Sequence, residues 1–180
     1  MLLCQYLCAI FKIGGKSYMV YLLFDNLENV VDVIRKIDKE CYTTDYDKQW
    51  YVDRYANNFI GIFLCDNISK KTVGYSILCG MSDEFQEAIT NGKIMNDTDI
   101  KIDYYTNLES KNLYLASTAL LPKYRHKGYS TKMTRILVDI YKKPNNQITA
   151  LICKETEPIF KFLNAEILDF KGKYKVAVLR

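Results

Sequence analysis

"NLYLASTALLPKYRHKGYSTKM", residues 112–133, begins as an apolar run and ends in a helix-like pattern, with cations and a single glycine between them. Residues 112–120 have strand character. After the turn, Met133, Ile136, Leu137, Ile140 and Tyr141 fall on one helical stripe, and Pro144 stops it. A strand that feeds directly into a helix presents unpaired backbone N–H groups and the positive end of the helix dipole, which together make an anion site. Gly128 can adopt backbone angles that other residues avoid and leaves room for a close approach. Arg125 and Lys127 add positive charge, and Ser130 and Thr131 can cap the helix or donate hydrogen bonds. The constellation suits a pyrophosphate, although a purely structural turn would accept the same glycine and surface cations.

Working outward, Leu27, Val30, Val31, Ile34, Ile37 and Cys41 recur at helical spacing and predict an amphipathic helix over 27–42 with an ordinary charged face. A loop and a shorter helix follow within 43–58. "FIGIFLC" (59–65) and "TVGYSILCG" (72–80) read as a hairpin joined across "DNISKK", the first strand apolar on both faces as a covered central strand should be. Residues 81–112 are polar, with a short helix at 83–92 and an acidic stretch that has the look of a functional loop. Beyond the quoted segment come a strand at "ITALIC" (148–153), a helix around "EPIFKFLN" (157–164) with Pro158 in its first turn, and a terminal hairpin from "AEILDF" and "YKVAVLR". The order predicts an α/β (α+β) domain: a mixed sheet with helices on both faces.

With 180 residues, 49% apolar and 26% charged, the chain suits one domain over 1–180. The opening "MLLCQYLCAIFKI" lacks a basic leading region and is too short to span a bilayer, so 1–26 is expected to add a strand or hairpin rather than an anchor. "IGGKS" (13–17) has the tail of a phosphate-binding loop, but Ile10 stands where that loop needs its first glycine, and a turn between strands is the better reading. The six cysteines mostly sit in apolar runs; free thiols in a reducing cytoplasm are expected, with Cys153 packed in the core. No metal site is expected, because there is no CxxC pair and His126 is the only histidine. The net charge of +4 is segregated: seven Lys or Arg against Asp139 alone between Lys123 and Lys143 leave the remainder acidic overall. That pattern favours an anionic ligand at one place over a broad nucleic-acid surface, and neither a nucleic acid nor a membrane is expected as partner.

"ALLPKYRHKGYSTKM" resembles the acyl-CoA-binding signature of the GNAT N-acetyltransferase superfamily, with Arg125-x-x-Gly128-x-Ser130 after a strand ending in proline, and "IFKFLNAEI" is similar to the family's "LYxKLGAEI" ending. The element order from residue 27 to 180 matches as well. The resemblance implies a mostly antiparallel central sheet with a V-shaped splay between its two central strands. It also implies that the backbone from Arg125 through His126, Lys127, Gly128, Tyr129, Ser130 and Thr131 cradles the CoA pyrophosphate, and that the strand around Thr118 and Leu120 pairs with the pantetheine arm. A backbone N–H near Thr118 would polarise the thioester carbonyl. Two departures stand out. Phe160 replaces the tyrosine many members use as general acid, and Tyr114 stands where some carry a basic glutamate. Tyr114 and Glu155 are the substitute catalytic candidates. Tyr42, Asp45, Tyr46 and Asp47 fall where the family builds its acceptor pocket, and they suit an ammonium-bearing amine. The function expected is N-acetyl transfer from acetyl-CoA to a small-molecule or peptide amine by direct attack in a ternary complex, in a possible homodimer. The alternative is a catalytically weak or inert CoA-binding sensor.

Overall fold

The computed structural model describes residues 6–13, 16–23, 27–42, 46–55 and 59–180, with side chains from Val30 onward. Gly14 and Gly15 of the "IGGKS" turn lie outside the described residues, as does Asp45. Two strands, β1 (Tyr6–Ile13) and β2 (Lys16–Leu23), pair antiparallel at the start of the chain. Two helices follow, α1 (Leu27–Cys41) and α2 (Lys48–Tyr55), then the hairpin β3 (Phe59–Asp66) and β4 (Thr72–Met81). Helix α3 (Asp83–Thr90) is capped by Ser82, whose side chain accepts the Phe85 N–H at 3.2 Å. Two short 3₁₀ turns and the two-residue strand β5 (Tyr105–Thr106) lead into β6 (Asn112–Leu120). Then come α4 (Tyr129–Tyr141), β7 (Gln147–Ile152), α5 (Glu157–Phe162), β8 (Glu166–Leu168) and β9 (Lys175–Leu179).

The strands form one sheet in the order β1-β2-β3-β4-β6-β7-β9-β8, with β5 paired to the end of β4. Every pair is antiparallel except β6 with β7. The terminal strands β8 and β9 do pair, but β9 is inserted between β7 and β8.

Alternation along the strands sends apolar side chains to two cores, one on each face of the sheet. On one face Ile60, Ile62 and Leu64 of β3 and Leu113 and Leu115 of β6 pack with Met133 and Leu137 of α4 and Phe160 of α5. On the other, Phe63, Tyr75, Ile77, Cys79 and Tyr114 pack with α1, α2 and α3. The stripe Val30, Val31, Ile34 and Ile37 anchors α1 there, each at most 2% exposed; such burial contributes about 1.5–3 kcal/mol per side chain. At Gly80 a Cβ would stand 1.8 Å from the Asn107 carbonyl oxygen, so only glycine lets the loop after β5 fold back over the end of β4.

Two features of β6 prepare the site. Its ladder to β7 contains only Asn112↔Gln147, Leu113↔Ile148 and Tyr114↔Thr149, after which the two strands part. Its ladder to β4 skips a residue: Ile77 opposes Ser117 and Leu78 opposes Leu115, leaving Ala116 as the extra residue of a bulge. The bulge switches the facing of the strand. Leu113 and Leu115 lie in the α4 core and Tyr114 and Ala116 in the α1 core, but beyond it Ala119 faces α1 and Leu120 faces α4. In unbroken alternation Ser117 would face α4; the extra residue turns it towards α1.

Candidate active site

Where β6 and β7 part, a cavity of about 550 Å³ opens, walled by Leu115 to Thr118 on one side and Ala150, Leu151 and Cys153 on the other. Trp50, Tyr51 and Tyr55 line it from α2 and Tyr42 and Tyr46 from the connection between α1 and α2, Asn96, Asp97 and Thr98 from the acidic loop, and Phe160 from α5. Tyr46 stacks on Trp50 with ring centroids 4.0 Å apart. The Arg54 guanidinium lies 4.7 Å from the Trp50 ring centroid and bonds both the Asp97 carbonyl at 3.2 Å and its carboxylate at 3.3 Å. A buried arginine held by a carboxylate and an aromatic face is a rigid wall rather than a mobile charge.

At the end of β6 the chain passes through a 3₁₀ turn at Pro122–Tyr124 into α4. Gly128 is the N-cap, at φ +75°, and a Cβ built on it would meet nothing within 4 Å. His126 also has positive φ and is exposed. An α-helix leaves its first amides without an intrahelical acceptor, and Gly128 supplies no side-chain cap. The site therefore has what a phosphate needs from the backbone: amides of the first turn beside open space. The flanking side chains are arranged less simply. Arg125 turns inward, its Nε donating to the Leu120 carbonyl at 3.0 Å, and Lys127 donates to the Lys123 carbonyl at 2.7 Å. Tyr129 is 1% exposed and packs in the core, so only its backbone faces the turn, while Ser130 and Thr131 are half-buried.

The open edge of β6 is bonded by side chains. The Tyr42 hydroxyl donates to the Thr118 carbonyl at 3.4 Å, and the Cys41 thiol shares the Leu120 carbonyl with Arg125, at 3.1 Å. Thr118 spends its hydroxyl on Ser76, 2.7 Å away on β4.

Of the two catalytic candidates, Glu155 is an exposed residue of the turn after β7 and lines the cavity; a contact with Cys153 and its own backbone hold its carboxyl below the usual range. Tyr114 lies behind the cavity wall. It is 1% exposed, its hydroxyl donates to Asp97 at 2.8 Å, and burial pushes its phenol well above the ordinary value. Of the acceptor-pocket candidates, Tyr42 and Tyr46 are on the lining, whereas Asp47 accepts the Trp50 N–H at 2.8 Å as the N-cap of α2. Cys153 is a half-buried residue of the cavity wall rather than a packed core cysteine. Phe160, the position that departs from the resembled pattern, is 4% exposed and on the same wall.

One cluster went unnoticed in the sequence. Asp38, only 7% exposed, accepts the Tyr51 hydroxyl at 2.7 Å and the Tyr75 hydroxyl at 2.5 Å, and the Tyr75 oxygen is 3.0 Å from Ser117 Oγ. The signal was available: Asp38 lies on the same helical stripe as Val31, Ile34 and Cys41, so a carboxylate sits on the core face of α1. Burial pushes its pKa up, and the two phenol hydrogen bonds oppose that shift.

Compared by sequence, the chain matches no family model and no curated protein. Compared by structure, it is similar to the Escherichia coli ribosomal-protein-S18-alanine N-acetyltransferase, with a TM-score of 0.56 over 89% of this chain and 91% of that one at 11% identity. It is also similar to the PaiA N-acetyltransferase of Thermoplasma acidophilum in complex with coenzyme A (0.53, 89% and 98%, 11% identity). A third likeness is to the GphF GNAT-like decarboxylase in complex with isobutyryl-CoA (0.64, 87% and 97%, 8% identity). The parted central strands, the inserted β9 and these likenesses agree: the chain has the GNAT fold.

Proposed function

We propose that this chain is an acyl-CoA-dependent N-acyltransferase that moves an acetyl group from acetyl-CoA to a primary amine by direct attack in a ternary complex. The observation that carries the reading is the end of the β6–β7 ladder at Tyr114↔Thr149, which opens a lined cavity directly upstream of a helix N-terminus with free space at Gly128. The amides of the first turn of α4 would hold the diphosphate, and the β6 edge at Thr118 and Leu120 would run along the pantetheine. That edge is reachable only when Tyr42, Arg125 and Cys41 give up their three bonds to the Thr118 and Leu120 carbonyls, each of which a backbone-pairing ligand would bond in their place. Acetyl-CoA brings the acyl group as an activated thioester with a good leaving group, so a dedicated acid at Phe160 is dispensable. The Tyr42 and Tyr46 rings on the lining, with Asp97 and Glu155, offer an ammonium π-faces and carboxylates. Free thiols at Cys41, Cys79 and Cys153 suit a reducing compartment, which we read as the cytoplasm. No helix among the described residues is long and apolar enough to cross a membrane.

Millimolar acetyl-CoA should raise the melting temperature, and Gly128→Glu, which places a carboxylate in the open space beside the first amides, should abolish the shift. Release of free thiol with a panel of primary amines should then report turnover. Absence of any thermal shift in the wild-type chain refutes cofactor binding. A shift without turnover on any amine leaves instead the inert CoA-binding module, a reading that Phe160 on the cavity wall favours.

A further inference from the structure

The acyl-transfer reading leaves one task unassigned. A primary ammonium of ordinary pKa, near 10.4 for a lysine-type amine, must lose a proton before it attacks. Neither Tyr114, behind the wall, nor Glu155, exposed with its pKa lowered, meets that need well.

Tyr75 has one hydroxyl hydrogen, and it is directed to Asp38 Oδ1. In its contact with Ser117 the donor must therefore be Ser117, which leaves Ser117 Oγ as an acceptor whose two lone pairs are shared between the neighbouring Tyr42 hydroxyl and the cavity. Ser117 lines the cavity at the point where the strands part, and it faces Tyr75 because of the Ala116 bulge. Asp38 receives two phenol donors and is an acceptor on both oxygens, as an ionised carboxylate is. The chain of donors thus runs in one direction, from the cavity wall at Ser117 through Tyr75 to a carboxylate.

We infer that Ser117, Tyr75 and Asp38 form a proton relay that deprotonates the acceptor amine, with Ser117 touching the ammonium and Asp38 as terminal proton acceptor. This rests on the acyl-transfer reading. The ammonium gives a proton to Ser117 Oγ while Ser117 passes its own to Tyr75 and Tyr75 passes its own to Asp38, yielding a neutral amine and a neutral carboxyl. The amine lone pair then forms the N–C bond to the thioester carbonyl carbon. The C–S bond breaks with its electron pair on sulfur, and the amide nitrogen loses its second proton to that thiolate. Asp38 afterwards returns its proton to water, so one proton is released per amide formed.

Burial raises the Asp38 pKa, which narrows the gap to the ammonium, and burial of the ammonium among aromatic rings narrows it from the other side. The groups that face Asp38 are Tyr51 and Tyr55 from α2, Tyr75 from β4, Ser117 of β6 through Tyr75, and Cys41 and Tyr42 at the end of α1. Among the described residues no cation bonds it; Arg54 on the cavity lining bonds Asp97 and Arg125 bonds Leu120.

The test measures kcat, KM and the pH dependence of kcat with one amine, and the acetyl-CoA thermal shift as a check on folding, in Asp38→Asn, Asp38→Glu, Tyr75→Phe, Ser117→Ala and Ser117→Thr. Loss of a general base typically lowers turnover by about 10²-fold or more. Asp38→Asn, Tyr75→Phe and Ser117→Ala should lower kcat by that order with KM for acetyl-CoA little changed, and the acid limb of the pH profile should vanish in Asp38→Asn. Ser117→Thr should recover most of kcat, and Asp38→Glu should restore the limb at a displaced pH. Should Asp38→Asn fail to fold, Ser117→Ala and Tyr75→Phe still decide, since each keeps the buried carboxylate and its Tyr51 partner. If Ser117→Ala and Tyr75→Phe both retain kcat within about 3-fold, far from a general-base loss, the relay is wrong and acyl transfer stands. If the wild-type chain turns over no amine, both fall.

Discussion

The two halves of β6 are built from one continuous strand and behave differently. From Asn112 to Tyr114 it is paired on both edges, and those three residues are at most 2% exposed. From Ala116 to Leu120 it keeps β4 on one side and has lost β7 on the other, and its middle residues Ser117 and Thr118 carry hydroxyls and are half-buried. At the start of the parted half Ala116 bulges from the ladder to β4, which breaks that register and re-aims Ser117. A strand zipped on both edges has no backbone group left to offer. The parted half keeps its own carbonyls and a re-aimed hydroxyl for chemistry, and the zipped half holds the angle between the two strands.

The largest expected effect is on the zipped half. Leu113 is 1% exposed in the core beneath α4, and Leu113→Ala should cost about 2–5 kcal/mol by denaturant unfolding. A cost below about 1 kcal/mol would break the comparison, because the paired half would then not be what holds the sheet at the opening. A smaller step is expected one residue along. Tyr114→Phe removes the hydrogen bond to Asp97 but keeps the ring against Phe85 and leaves Asp97 its bond from Arg54. It should cost about 1 kcal/mol. It should also leave kcat within about 3-fold, well short of the loss expected for a proton-transfer group. A turnover loss on the scale of Ser117→Ala would return Tyr114 to the chemistry and blur the boundary between the halves.

The boundary itself was hard to see in the sequence, although what flanks it was not. β6 is found over 112–120 as its apolar run predicts, and α4 stops before Pro144, because those elements are set by local pattern. The helix at 27–42 is equally legible as an element, but its pattern reads as having an ordinary charged face, whereas Asp38 lies on the buried side. Its partners, Tyr51 and Tyr75, are 13 and 37 residues away. Periodicity reports which face of a helix is covered, not which phenol covers it. Asp47 shows the converse: an aspartate just before a helix is a cap by local rule, and its carboxylate is engaged by the Trp50 N–H. The insertion of β9 between β7 and β8 was likewise hidden, since a terminal hairpin reads the same whichever of its strands meets the sheet.

The last expected effect is a slope rather than a step, and it separates the halves by their buried polar groups. Behind the zipped half the buried polar pair is neutral, Thr149 donating to Gln86 at 2.8 Å, and the carboxylates that Asn112 and Tyr114 bond, Asp83 and Asp97, are exposed. The parted half is backed by Asp38, whose folded-state pKa lies above the 3.8 of an unperturbed aspartate. Between 3.8 and that raised value the folded chain holds a proton that the unfolded chain has released. The contribution of Asp38 to stability is therefore complete below 3.8 and is lost as pH rises through the folded pKa. Carboxylates lowered by partners, such as Glu157 beside Lys161 and Lys175, act in the opposite sense, so the whole-protein curve hides the effect. The difference between wild type and Asp38→Asn isolates it. The unfolding free energy of the wild type minus that of the asparagine chain, measured from about pH 4 to 7, should fall as pH rises, because the asparagine chain lacks that component of slope. Parallel curves across that range would mean that the carboxylate is as well solvated as a surface aspartate, and the parted half would then be backed by nothing that titrates.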